Sequence, residues 1–410
     1  MKFDINSIFF HNGLRLFHIN TSSEDTALIA TINAGSLFEN DSNSGISHLV
    51  EHMLFKGTSR RSSRDLIHQE INLLGSFSNC YTHQSKVTFE FKLIPDKLEQ
   101  GLDLLVDLLY HSRIEPRELE KEKKIVLNEM LERRDLPEEF LWDSFTTALF
   151  EGSRLSQSII GTEESVKKLT LEEVQKFYSQ RFNTENTVLF VVGPQNRNET
   201  YAFVAKHFLE QRSGDLSVIP KFVVPSNNRK DQFIEKDLQA VYLMTGRIVQ
   251  PKSYEEGLAL QILTSALSRA ISEKILNQEP ISYSRWVQYA GYKVSAAIVA
   301  YAACNDKNYA RARELIQEEM FRFSEGKIPA NYVFDAVEHN KNAFVSGTSS
   351  TLDKARVLAF WSSNNVQGVN DYLNQLGRVS VEQVREAGRN YLNTDNLTTV
   401  ILGKNFGQKK

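Results

Sequence analysis

Only two cysteines occur in the 410 residues, Cys80 and Cys304, far apart and without the spacing of metal ligands. A disulfide framework or a cysteine-based zinc site is therefore disfavoured, and so few thiols suit a reducing compartment. No run of about 18 apolar residues is present, which argues against a membrane-spanning helix. The opening MKFDINSIFF has one Lys, an early Asp and no sustained apolar stretch, so a cytoplasmic location is expected. Neither sign of charge is in excess: 48 Lys and Arg stand against 51 Asp and Glu, which removes the electrostatic case for a nucleic-acid or anionic-membrane partner. What is present is a hydrophobic share of 41%, enough in a chain of this length to fill the cores of two or three domains.

The chain repeats itself once. TLEEVQKFYSQRFNTENTVLFVVG (170–193) aligns without gaps on SVEQVREAGRNYLNTDNLTTVILG (380–403), an offset of 210 residues. Each copy reads as a helix, an Asn-Thr-acid-Asn turn and a β-rich strand ending on Gly193 or Gly403. Two copies at half-chain spacing imply two domains of one fold, whereas a solenoid needs at least three short repeats. The stretch 213–232, with Pro220, Pro225 and a polar cluster, reads as a linker, giving domains at 1–212 and 233–410. Within the first half, GLRLFHI, TALIATINAG and KVTFEFKLI read as strands. SGISHLVEHMLF, KLEQGLDLLVDLLYHS and ELEKEKKIVLNEMLERR have helical apolar spacing. The expected fold class is α+β: two similar domains, each an antiparallel β-sheet flanked by helices.

SGISHLVEHMLFKGT places His48, Glu51 and His52 on one such helix. Positions i and i+4 lie one turn apart on the same face, so His48 and His52 can aim imidazole nitrogens at a common centre. Glu51 projects beside that face and can take a proton from water held there. The plainer reading is a helix with two satisfied core histidines and an incidental Glu. With 9 His in the chain, chance gives an HxxEH string in only about one such sequence in a hundred. Imidazole pairs suit zinc, and a catalytic zinc site usually has three protein ligands. Glu129 is the candidate third ligand. It shares a helix face with Glu122, seven residues earlier, with Ile125 and Val126 between them. A carboxylate beside apolar neighbours is costly unless it is paired or coordinating, which makes Glu129 a ligand and Glu122 a group that hydrogen-bonds a ligand from behind. Taken without the histidines, the same two residues would read as solvated charges on a polar helix.

These residues resemble the H-x-x-E-H signature of the inverzincin metallopeptidases related to pitrilysin, insulin-degrading enzyme and the mitochondrial processing peptidase. In the processing-peptidase branch the third ligand follows the second histidine after 76 residues, and residues 53–128 are 76 in number. The family's companion glutamate falls on Glu122, and Phe55 to Thr58 match the Phe-Lys-Gly-Thr tail. The half-chain duplication is a further family trait. The resemblance implies one Zn²⁺ per chain, held by His48, His52 and Glu129, with Glu51 as general base. LGSFSNCYTHQSKVTFEF resembles the family segment leading into a substrate-binding edge strand, which implies substrate contacts at Asn79, Tyr81 and Thr82 by β-augmentation. Read alone, SFSNCYT is an ordinary turn entering a strand.

One departure matters. Active members carry an Arg and a Tyr in the second domain. Here LNQEPISY (276–283) supplies Tyr283 as a catalytic candidate but has Leu276 at the Arg position and Pro280 at a Gly position. Lys274 or Arg269 would be the substitute cation if the alignment slips. The equivalent helix GLALQILTSAL has no histidine, so the second domain offers no zinc site. The implied activity is zinc-dependent endoproteolysis of extended peptides or unfolded segments. The implied assembly is a heterodimer with a homologous subunit carrying the Arg and Tyr, a homodimer being the other possibility. The alternative within the family is a non-catalytic core-like or peptide-binding subunit.

Overall fold

The computed structural model describes residues 2–221, 223–282, 284–292, 295–361 and 366–404, apart from the side chains of residues 76 and 367. Two α+β units form, each a sheet flanked by helices. The first sheet contains β1 (Ile5–Phe9), β2 (Arg15–Asn20), β3 (Thr26–Ile32), β4 (Gly75–Thr82), β5 (Val87–Leu93) and β6 (Thr187–Gly193), in the order β1-β2-β6-β3-β5-β4. The second contains β7 (Lys230–Glu235), β8 (Val241–Val249), β9 (Ser284–Tyr292), β10 (Ser295–Cys304) and β11 (Thr398–Gly403), in the order β7-β11-β8-β10-β9. All neighbours are antiparallel except one pair in each sheet, β2 with β6 and β7 with β11.

The repeat in the sequence has a matching local chemistry. Thr170 caps helix Leu171–Arg181 by accepting from the Glu173 amide while the Glu173 carboxylate accepts from the Thr170 amide, and Ser380 and Gln383 do the same for helix Val381–Tyr391. The strands that follow, β6 and β11, lie inside their sheets and are buried at every residue.

The helices that build the first unit are α1 (Ile46–Leu54), α2 (Arg64–Leu74), α3 (Leu98–Tyr110) and the long α4 (Pro116–Asp135). In α1, Ile46, Leu49, Val50, Met53 and Leu54 are wholly buried, one apolar stripe at helical spacing. That stripe seats α1 in the core with Val87, Phe89, Phe91 and Leu93 of β5 and Leu102, Leu105 and Leu109 of α3. His48, Glu51 and His52 fall on the opposite side of the helix.

The units are not contiguous in sequence. The first gathers residues 1–130, 157–221 and 345–372; the second gathers 131–156, 222–344 and 373–410. Each unit therefore takes a segment from beyond the linker expected at 213–232, which repeat spacing alone does not reveal. In the second unit, α5 (Pro137–Leu149) packs on β8 and β11, burying Leu141 and Phe145. Its Glu138 accepts a 2.6 Å hydrogen bond from Tyr301 of β10. In the first unit, α6 (Thr351–Trp361) packs on β3 and β6, burying Leu352, Ala355 and Leu358. The physical reason is that β3 and β6 carry buried side chains on both faces, so a helix has to cover the face that α1 and α3 leave open. Among the described residues no helix is long and apolar enough to cross a membrane.

Candidate metal centre

Helix α1 starts abruptly. Gly45 precedes it with φ at 90°, and a Cβ there would lie 2.7 Å from the Ile160 carbonyl, so the position demands glycine. Glu39, buried beneath the helix N-terminus, accepts from the Gly45 amide at 2.8 Å and the Ser47 amide at 2.9 Å. A carboxylate at this end satisfies two free N–H groups and opposes the positive end of the helix dipole.

The structure brings His48, His52 and Glu129 together. The Nε2 atoms of His48 and His52 stand 3.7 and 3.6 Å from the two Glu129 oxygens, and one donor atom from each residue lies within 4.8 Å of the others. A tetrahedral zinc with ligands at about 2.0–2.2 Å sets neighbouring donors about 3.3–3.6 Å apart. The imidazole-to-carboxylate distances are close to that spacing and one donor from each residue lies within 4.8 Å of the others, so two imidazoles and a carboxylate could close on such an ion by small side-chain movements. Glu122 sits behind: its Oε2 accepts from His52 Nδ1 at 3.1 Å, which leaves Nε2 facing Glu129. The other Glu122 oxygen is 2.7 Å from Lys56 Nζ. Burial pushes the Glu122 carboxyl up, but His52 and Lys56 outweigh it and hold the group below its ordinary value. Burial pushes His52 down, but hydrogen bonds to Glu122 and Glu129 and the charges of Glu51 and Glu129 win, lifting it to about 9. Replacing Glu122 by Gln should therefore weaken zinc binding by about 10- to 100-fold, measured by competition with a chelator.

Glu51 is 8% exposed and accepts a 2.6 Å hydrogen bond from Thr82 Oγ1. Burial raises its carboxyl above the ordinary value and the Glu129 charge adds to that, while Thr82, the His52 charge and the Cys80 thiol oppose it. A carboxylate poised upward in this way suits general base work near neutral pH. Thr82→Val removes a donor to the ionised form, so the Glu51 pKa rises further. The acid limb of the pH–rate profile should move up by about one unit, with about a tenfold loss of kcat/KM on that limb.

Among the described residues strand β4 is the last in its sheet, paired on one side with β5 alone. The three residues expected to contact substrate do not share a face of it. Thr82 and Cys80 point to Glu51, whereas Tyr81 donates to Glu90 of β5 at 2.8 Å and Asn79, opposite Glu90, is exposed. Alternation along a strand requires this split. Tyr283 lies outside the described residues. Ile125, expected to crowd Glu129, is 41% exposed; Val126 is the buried neighbour on that helix.

Sequence reading missed Glu39, Lys56 and the lock on the loop after α1. In that loop Thr58 donates to buried Asp107, and Arg61 Nη1 reaches the same carboxylate at 2.8 Å. The Lys-Gly-Thr string carried a signal for the last two, but their partners are on other helices.

An HxxEH helix completed by a distant glutamate defines the metallopeptidase class known as inverzincins. Residues 16–163 match the family model described as insulinase, peptidase family M16, and residues 168–338 match the M16 inactive domain. The chain belongs to the M16 peptidase family. It is 26% identical over 383 residues to an uncharacterised zinc protease of Mycobacterium leprae, covering 88% of this chain and 83% of that protein. It is 30% identical over 260 residues to the mitochondrial-processing peptidase subunit beta of Caenorhabditis elegans, covering 62% of this chain and 56% of that subunit. The fold matches the crystal structure of a protease from Helicobacter pylori with a TM-score of 0.91 at 20% identity, over 98% of this chain and 100% of the other.

Proposed function

We propose that this chain is a zinc-dependent endopeptidase acting on extended peptides or unfolded segments, as the metal-bearing member of a dimer. The observation that carries this reading is the convergence of His48, His52 and Glu129 beside a buried Glu51 that is itself tied to the edge strand through Thr82. A zinc ion held by the three side chains supplies a Lewis acid that polarises a carbonyl and acidifies water. Glu122 keeps His52 in the tautomer that presents Nε2. Glu51 takes the proton of the attacking water and returns it to the leaving amine. The free side of β4 offers main-chain groups to an extended peptide, which is the geometry of β-augmentation. A cytoplasmic setting accords with two unpaired thiols, Cys80 and Cys304.

The non-catalytic alternative has less support, because a subunit that only binds peptide has no need of Glu51 or of a complete ligand set, and all four residues are present. The relatives named as beta subunits favour a homologous partner for this chain, and Leu276 at the expected Arg position points the same way. The test is direct. Zinc content, cleavage of a quenched-fluorescent peptide library, and loss and recovery of cleavage on chelation and zinc return are measured for the chain alone and with homologous partners. A zinc-loaded chain that cleaves nothing in any combination would overturn the enzymatic reading.

A further inference from the structure

Among the described residues strand β4 pairs with β5 alone, and its ladder to β5 is already irregular between Gly75 and Phe77. A strand bonded along one side is the member of a sheet freest to fray or slip, and a slip of one residue would turn every side chain to the wrong face. For β4 that would take Thr82 off Glu51. Something has to fix the strand where it meets Glu51.

The candidate is on α6, a helix that reaches this unit from beyond the linker. Arg356 of α6 donates from Nε to Glu90 Oε1 at 2.9 Å and from Nη2 to Glu90 Oε2 at 2.7 Å. Glu90 is wholly buried on β5, and its Oε1 also accepts from Tyr81 of β4 at 2.8 Å. The same helix is fastened at two more points, by Lys86 Nζ donating to the Ala359 carbonyl at 3.0 Å and Thr351 Oγ1 donating to Asp25 at 2.5 Å. A buried carboxylate is costly unless paired, and a guanidinium satisfies both its oxygens in one fixed orientation. A hydrophobic pair would cover the sheet as well but would not dictate where Tyr81 sits.

We propose that Arg356 is a positioning residue for the substrate strand: through Glu90 and Tyr81 it pins β4 from one face, while Thr82 joins the same strand to Glu51 on the other. This rests on the reading of the chain as a peptidase whose substrate adds to β4. Loss of the clamp loosens the strand on which peptide docks and leaves His48, His52 and Glu129, which are on α1 and α4, in place. The signature is therefore a rise in KM at nearly constant zinc affinity.

The experiment compares wild type, Arg356→Lys, Arg356→Met, Tyr81→Phe and the double variant Arg356→Met with Glu90→Met. The double variant removes both charges, so it stays informative where Arg356→Met alone fails to fold around an unpaired Glu90. Hydrogen exchange is read at the amides of 78–82 and, as a control, of β1 and β2. Zinc affinity is measured by chelator competition, and KM and kcat on one extended peptide. The double variant should show about tenfold faster exchange confined to β4, about tenfold higher KM, and kcat and zinc affinity changed by less than about threefold. Tyr81→Phe should move the same way by less, and Arg356→Lys should restore part of the loss because an ammonium meets only one oxygen well. Unchanged exchange at β4 and unchanged KM in the double variant would overturn the proposal, as would exchange that rises equally in β1 and β2. If wild type cleaves no peptide, the peptidase reading fails, and the exchange measurement still decides whether Arg356 fixes the strand.

Discussion

Glu51→Gln leaves zinc affinity within about twofold of wild type and lowers kcat by about 10²- to 10⁴-fold, the range assigned to a positioned general base. The two effects separate because Glu51 is not among the three donors that converge; it lies beside them, with one oxygen bound by Thr82. Gln has the same shape and its amide oxygen can still accept from Thr82, so the edge strand stays attached. What is lost is the capacity to take a proton. The variant should also fold at least as well as wild type. Glu51 is 8% exposed and its burial disfavours the charged form, so a neutral side chain of equal size relieves a cost. Elemental analysis after gel filtration gives the zinc content, thermal unfolding gives the stability, and steady-state cleavage of one peptide gives kcat. Turnover near wild type in zinc-replete Glu51→Gln would remove Glu51 from the role of base. A parallel loss of zinc would mean that Glu51 is a ligand and that the donor set is wrong.

What could be read from the sequence follows from the range of the interactions concerned. The helix carrying His48, Glu51 and His52 was legible because its two stripes, apolar and ionisable, repeat at helical spacing within nine residues. The duplicated helix and strand were legible for the same reason, helped by the capping pair at Thr170 and Glu173 and again at Ser380 and Gln383. Glu129 is far along the chain from His52; the face of its own helix, beside apolar neighbours, offered it as a ligand, and the family pattern then matched the distance of 76 residues. Glu39 was not legible at all, and Lys56 showed only as part of the Lys-Gly-Thr string, without its role. Their partners, Glu122 and the amides of Gly45 and Ser47, follow no spacing rule, and a lysine or glutamate near a helix end is usually solvated. That Tyr81 turns to Glu90 and Thr82 to Glu51 follows from strand alternation, but which partners wait on each face is set by other elements and could not be read from SFSNCYT. The placement of α5 and α6 depends on which sheet face needs covering, a property of the assembled fold that no local window contains.

Addition of a homologous subunit bearing the family Arg and Tyr should raise kcat/KM of this chain by about 10²- to 10³-fold, the usual worth of one donor to a developing oxyanion. The expectation comes from what the second half of the chain has left to offer. Leu276, at the expected Arg position, is an apolar side chain on a π-helical turn, Glu273–Gln278. An i to i+5 turn shifts side chains around the axis relative to ordinary helical spacing, so a slip of alignment does not simply bring Lys274 into the vacant role. Arg269 is the other nearby cation, and it is engaged: it pairs with Asp335, its Nε is 3.1 Å from Glu273, and its guanidinium lies 4.5 Å from the centre of the Tyr332 ring. Recruiting it to an active site would break two ion pairs and a cation–π contact, and its planar fork is not replaced by a lysine. Glu279, in the same segment, is likewise paired, with Arg311 at 2.6 Å. A second copy of this chain would bring the same engaged groups, so a homodimer should run at the lower rate. The measurement is kcat/KM for the zinc-loaded chain alone, mixed with a Leu276→Arg copy, and mixed with a homologue carrying the pair, each mixture first resolved by gel filtration. Stimulation by the homologue alone, or by the homologue and the Leu276→Arg copy, supports the heterodimer. Turnover of about 1 to 10³ per second by the chain alone, unchanged by either addition, would show that the chain needs no borrowed donor and would end the heterodimer proposal.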